Sequence, residues 1–213
     1  MKHILLLTTG GTIASRPTDE GLAPEMDGED LARRIPFLTD SYTVTVRDIL
    51  HLDSSNIQPE EWQLIARAVY AERTGYDGIV VTHGTDTMAY TASVLSFMLR
   101  GIPIPVVLTG SQLPIEHPLT DALENLRIAF AMACSGAAGV FVAFDRKVIL
   151  GCRAVKTRTK DFDAFESVNW PLAMWTPAAS ISTPPPCRPV SVGTACSKAI
   201  CAGMSFSLSS PPA

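Results

Sequence analysis

The sequence predicts a layered α/β domain over residues 1–175, a three-layer sandwich built on a mostly parallel sheet. Three observations point there. Short apolar runs bounded by turn residues recur, as in Ile79-Val80-Val81 and Val106-Val107-Leu108, which is how strands covered on both faces read. Segments with helical spacing alternate with them, implying βαβ units. The chain has 213 residues, 46% of them hydrophobic, enough for one domain with a substantial core and an appendage.

The elements follow in order. His3–Thr8 is the first strand, and its apolar run Ile4–Leu7 is too short for a secretory signal. Thr43–Arg47 is the second strand. A helix then begins near Pro59, at a first helical position, with Glu60 and Glu61 where the dipole favours anions. Trp62, Ile65, Ala66 and Val69 give it an apolar face. Strand Gly78–Thr82 leads into a helix over Asp86–Leu99, stopped by Gly101 and Pro103. Strand Pro105–Thr109 precedes a helix that starts near Asp121, with Glu124 in capping-box spacing, and ends by Gly136. Gly139–Phe144 is the last strand. From Thr176 onward the chain has no Asp or Glu and is rich in Pro, Ser and Cys, so residues 176–213 read as an irregular tail.

Composition narrows the function classes. A net charge of −4 with scattered Lys and Arg gives no electrostatic reason to expect nucleic acid or an anionic membrane. No run approaches the roughly 20 apolar residues that span a bilayer, and a cytoplasmic location is expected. Cys134, Cys152, Cys187, Cys196 and Cys201 match neither a zinc motif nor a disulfide framework. Buried free thiols, no metal and no cofactor are the expectation.

Polar clusters follow the strands: Thr8-Thr9-Gly10-Gly11-Thr12, Thr82-His83-Gly84-Thr85-Asp86-Thr87 and Thr109-Gly110-Ser111-Gln112. A fourth, Asp53-Ser54-Ser55-Asn56, precedes the helix near Pro59. Ligands of open α/β sheets bind at the carboxyl ends of strands, so these clusters point to one site. Gly10-Gly11 allows positive φ and close approach to main-chain N–H groups. No GxxxxGK[ST] or GxGxxG pattern occurs to suggest a phosphate loop. Each cluster also has a plainer reading. Thr12 reads as a turn cap, Asp86 as a cap for the helix after it, and Ser54 and Ser55 as caps near Pro59. His83 is open as a base or as a turn anchor.

Thr9-Gly10-Gly11-Thr12-Ile13-Ala14 and His83-Gly84-Thr85-Asp86-Thr87-Met88 resemble the two signatures of the bacterial-type asparaginases, most closely the cytoplasmic type I branch. The likeness continues through Asp53-Ser54-Ser55, Thr109-Gly110-Ser111-Gln112 and Lys156-Thr157, covering roughly residues 1–172. It implies that Thr12 attacks a side-chain amide and forms an acyl-enzyme, a hydroxyl being a poor nucleophile until its proton is removed. It implies that Thr85, Lys156 and Asp86 form the second catalytic group. Substrate contacts would come from Asp53, Ser54, Ser55, Thr85 and Asp86. L-Asparagine, and to some extent L-glutamine, are the implied substrates, and a homodimer or homotetramer the implied assembly.

Two departures stand out. Many family members carry a tyrosine about a dozen residues after the nucleophile, where this chain has Leu22 within Gly21-Leu22-Ala23-Pro24; Tyr42, Tyr70, Tyr76 and Tyr90 lie elsewhere. That leaves the proton acceptor for Thr12 unassigned. The resemblance also fades by Trp175, ahead of the family's second domain, which reads as a truncated or frameshifted frame. Two rivals stay open: a non-catalytic fragment that at most binds amino acids, and an asparaginase-like component of a transamidation system that supplies ammonia. The second normally carries an extra N-terminal domain, whereas the first strand here begins at residue 3.

Overall fold

The computed structural model describes residues 1–18, 21–24, 26–35, 42–175 and 181–182. Strands β1 (Lys2–Gly10), β4 (Tyr42–Leu52), β5 (Gly78–Thr82), β6 (Pro105–Thr109) and β7 (Gly139–Phe144) are parallel neighbours. The antiparallel strands β8 (Lys147–Leu150), β11 (Ala173–Trp175) and β12 (Ile181–Ser182) extend the same sheet, ordered β12-β11-β8-β7-β6-β5-β1-β4. Two hairpins stand outside it: β2 (Ser15–Thr18) with β3 (Gly21–Pro24), and β9 (Ala154–Lys156) with β10 (Phe165–Ser167).

Alternation along the strands builds two cores. Ile4 and Leu6 of β1 pack with Leu31 of helix α1 (Gly28–Arg33) and with Leu126 and Phe130 of α4 (Ala122–Ala133). Leu5 and Leu7 face the other way, toward Ile65 and Val69 of α2 (Pro59–Glu72) and Ala92 and Leu95 of α3 (Met88–Met98). Helices therefore cover both faces, and the layers number three. Burying one such aliphatic side chain contributes about 1.5–3 kcal/mol.

The structure differs from the sequence reading at several element ends. β4 runs five residues past Arg47, because a bulge in β1 between Thr8 and Gly10 re-registers the pair and brings Gly10 opposite Leu52. Helix α3 starts at Met88, since Asp86 is engaged elsewhere. Asp121 makes no capping bond to α4; its carboxylate accepts from the backbone N–H of Gln112 and Leu113 instead. The cap of α2 is Gln58, paired reciprocally with Glu61, rather than Ser54 or Ser55. β8 follows β7 through Asp145 and Arg146, both at positive φ (43° and 62°). A two-residue hairpin turn needs that geometry, and without Gly or Asn it leaves no sequence signal. Most of the tail lies outside the described residues; Ile181–Ser182 pairs with β11.

Candidate functional site

The strand order reverses at β1, whose parallel neighbours β4 and β5 lie on opposite sides. Such a reversal opens a crevice at the carboxyl ends of the strands. Register decides which loops line it. Thr8 stands opposite Thr82, and Thr82 opposite Thr109, so β5 and β6 end level with Thr8 while β1 runs on to Gly10. The three glycine- and hydroxyl-bearing clusters therefore begin at the same level of the sheet. Side-chain bonds tie the row together: the Thr9 hydroxyl donates to Thr82 O at 2.8 Å, and Thr109 to Ala143 O at 2.9 Å.

Backbone contact then joins the two threonine loops. Gly10 and Gly11 have φ of 100° and 83°, where side chains are strained. A Cβ on Gly11 would lie 2.6 Å from Gly84 Cα and 2.9 Å from His83 C. Neither loop tolerates a side chain at that crossing. A Cβ on Gly84 would in turn lie 2.5 Å from Ser54 Oγ, so the serine loop packs under the same turn. Thr12 and Thr85 each directly follow one of the two touching glycines, so the loops that carry them adjoin beyond the carboxyl ends of β1 and β5. Thr12 opens a single 3-10 turn, Thr12–Ala14, and is half-buried.

Thr85, Asp86 and Lys156 are in direct contact. The Lys156 ammonium donates to Thr85 Oγ1 at 2.9 Å and to Asp86 Oδ1 at 2.7 Å. The lysine side chain is 13% exposed while the Asp86 carboxylate is 57% exposed, so the lysine is partly desolvated and the carboxylate stays open to a ligand. Hairpin β9–β10 delivers Lys156, and an ion-pair cluster holds the hairpin: Lys147 with Asp163, and Arg158 with Asp163 and Glu166. Thr85 also donates to Gln112 Oε1 at 3.3 Å.

The serine loop divides its two hydroxyls. Ser54 is buried, and its carbonyl accepts from Thr87 at 2.7 Å. Ser55 is exposed; its hydroxyl and backbone N–H both donate to Asp53 Oδ1 at 2.8 Å. Asp53 thus caps its own 3-10 turn, Ser54–Asn56.

His83 is fully buried, and burial pushes its imidazole down to about 4, so it is neutral at pH 7. Its Nδ1 lies 2.7 Å from Gly84 O, which can only accept, so that nitrogen carries the proton. Nε2 then accepts from Thr91 Oγ1 at 2.9 Å, and Thr91 accepts from Trp62 Nε1 at 2.9 Å. Every side-chain nitrogen and oxygen of this His83–Thr91–Trp62 relay has a partner. Of the two sequence readings, the turn anchor fits: His83 holds the Gly84 peptide from inside the protein. The Trp62–Thr91 link had no sequence signal, since both residues read as ordinary helix positions.

Among the described residues there is no group of His, Cys, Asp and Glu that could hold a metal ion, and no helix is long and apolar enough to cross a membrane. Leu22 lies in β3, its backbone paired with Pro17. Asp19 and Glu20 lie outside the described residues.

Comparison with known proteins finds relatives over most of the chain. The family model "Asparaginase, N-terminal" matches residues 3–184. An L-asparaginase from Thermococcus kodakarensis is 50% identical over 169 residues, covering 79% of this chain and 52% of that protein. A glutamyl-tRNA(Gln) amidotransferase component from Methanothermobacter thermautotrophicus is 41% identical over 188 residues, covering 83% of this chain and 43% of that protein. Among solved structures, the thermostable L-asparaginase from Thermococcus kodakarensis superposes with a TM-score of 0.79 at 46% identity, covering 87% of this chain and 57% of that one. The chain spans about half the length of the curated relatives it matches.

Proposed function

The chain belongs to the asparaginase family, and on that premise we propose that it is an amidohydrolase converting L-asparagine to L-aspartate and ammonia. The observation that carries this reading is the Lys156 ammonium bonded to both Thr85 and Asp86 on the wall that adjoins Thr12. The Thr12 oxygen attacks the carboxamide carbon, and its proton passes to the departing nitrogen, which leaves as ammonia. Water then adds to the threonine ester, the C–O bond to Thr12 breaks, and L-aspartate leaves. Thr85 and Lys156 manage the protons; positioned transfer of this kind contributes about 10²–10⁴ in rate. Main-chain N–H groups beside Thr12 and Thr85 face the developing oxyanion, each worth about 10²–10³ in turnover.

Substrate recognition uses the open side of the same crevice. The exposed Asp86 carboxylate pairs with the α-ammonium, while Ser54 and Ser55, with Asp53 behind them, take the α-carboxylate. L-Glutamine, longer by one methylene, is the second substrate of this reading, because a pocket discriminates one methylene by only about 1–3 kcal/mol. Residues 1–175 form the catalytic domain of this reading, which includes a cytoplasmic homodimer or homotetramer, supported by the type I resemblance. A second reading, ammonia supply for transamidation, draws support from the 41% identity to the amidotransferase component.

Ammonia release from asparagine by the purified chain, measured beside Thr12→Ala, tests the proposal. Thr12→Ala retains the parent's circular dichroism and loses at least about 10³-fold in turnover. Folded parent protein with no Thr12-dependent ammonia release would sink the amidohydrolase reading. Release that requires a bound partner protein or transfer RNA would favour the second.

A further inference from the structure

We propose that Gln112 is a positioning residue that aims the Thr85 hydroxyl, so that Thr85 turns a lone pair, not a proton, toward the crevice. The inference rests on the amidohydrolase reading and adds a residue that reading does not use.

The side-chain amide of Gln112 has one possible orientation. Nε2 lies 3.2 Å from Thr159 O and 2.9 Å from Asp161 O. Both partners are carbonyls and can only accept, so the NH2 group must face them and Oε1 must face Thr85. Oε1 carries no hydrogen. The bond between it and Thr85 Oγ1 at 3.3 Å therefore uses the threonine's proton. Lys156 donates to the same oxygen at 2.9 Å and fills one lone pair. A hydroxyl has one donor and two acceptor sites. What remains on Thr85 is a single lone pair.

That polarity suits the chemistry. The group that must lose a proton, the Thr12 hydroxyl in the first step and water in the second, can donate to Thr85 and be aligned by it. A Thr85 free to rotate would spend part of its time presenting its own proton to that group. The Thr85–Gln112 separation is longer than an optimal O–H···O bond, so it selects a direction more than it adds stability.

The root of Gln112 is held still. Its backbone N–H sits 3.1 and 3.0 Å from the two Asp121 oxygens. Asn125, 1% exposed, donates to Asp121 and to Gly110 O at 3.0 Å and accepts from the Asp145 N–H at 2.9 Å. The residue before Gln112 in the loop, Ser111, is likewise buried. The amide thus reaches Thr85 from a fixed base, and its two carbonyl partners lie in the segment that connects β9 to β10.

Two variants separate aiming from tethering. Gln112→Met removes both; Gln112→Glu keeps an acceptor toward Thr85 and loses the NH2 group. With asparagine as substrate, Gln112→Met is expected to lower kcat about 10–100-fold with KM within about threefold. Gln112→Glu should recover at least about fivefold of that loss. In the folded parent, NMR should show the Gln112 side-chain NH2 exchanging with water more slowly than that of the exposed Gln63. A Gln112→Met kcat within about twofold of the parent overturns the proposal, as do equal losses in Met and Glu, or fast exchange at Gln112. An inactive parent refutes the amidohydrolase reading instead, and the exchange rate still shows whether the amide is anchored as argued.

Discussion

The two walls of the crevice are built by different means. On the Thr12 wall, position is set by backbone: Gly10 and Gly11 at positive φ, and Gly11 pressed against Gly84 with no room for a Cβ. On the Thr85 wall, position is set by side chains: Lys156 on Thr85 and Asp86, Gln112 on Thr85, and the buried His83 behind Gly84. Backbone placement is geometrically rigid and chemically neutral, which suits the proposed nucleophile. Side-chain placement brings charge and proton affinity, which suits the proposed proton-managing groups. The contrast implies that steric changes break one wall and isosteric polar changes break the other.

The largest expected effect is on the side-chain wall. Lys156→Met keeps the volume and removes the charge, and turnover should fall about 10²–10⁴-fold while the thermal midpoint moves little, because Asp86 is left exposed rather than buried. Steady-state kinetics beside a melting curve checks this. A fall shared equally between activity and stability would show the lysine to be structural.

On the backbone wall the order of sensitivity reverses. Gly11→Ala combines a strained positive φ with a collision against Gly84, about 3–5 kcal/mol of stability in all. Urea unfolding measures it. A loss below about 1 kcal/mol would mean that the glycine loops separate easily, and the walls would not be coupled.

The acid response comes from behind the side-chain wall. His83 titrates near 4 in the folded protein against about 6.5 when unfolded. Between those values the unfolded chain takes up a proton that the folded chain refuses, so stability falls as pH drops from about 6.5 to 4 and this contribution levels off below. The full depression corresponds to about 3 kcal/mol. Unfolding free energies at stepped pH should show the slope, and His83→Gln should flatten it. An unchanged slope in that variant would assign the acid sensitivity to carboxylates.

The smallest effect belongs to the periphery of the Thr12 wall. Arg34 and Arg16 both reach Glu116, at 2.5 and 3.9 Å, beside hairpin β2–β3. These are surface pairs, so Arg34→Gln should cost no more than about 1 kcal/mol and less still at high salt. A larger loss in a melting experiment would make the Arg34–Glu116 pair part of the wall.

Local chemistry made much of this legible in advance. The apolar runs ending in Thr marked where β5 and β6 stop, and the Gly-Gly pair marked a backbone that needs positive φ. The clusters around Thr12 and Thr85 were readable because turn and hydroxyl residues sit at fixed offsets from the strands, whereas Lys156 was singled out only by the resemblance to the asparaginases. Other features had no local signature. Asp121 looked like a helix cap, yet its carboxylate is drawn to the backbone of Gln112. Asp145-Arg146 turned a hairpin without glycine. Gln112 stood in a recognised cluster with nothing to show which way its amide would face.

The sequence alone determined the layered α/β class, the ends of β5, β6 and β7 and the polar residue types that follow the strands, because periodicity and turn chemistry act over a few neighbouring residues. Tertiary structure decided that Thr8, Thr82 and Thr109 share a row, that Gly11 meets Gly84, and that Lys156 returns to Thr85 from 71 positions away. Those outcomes depend on which strands pair and in what register. Pairing is settled by burying two opposite faces of one sheet at once, a condition no short segment can express by itself.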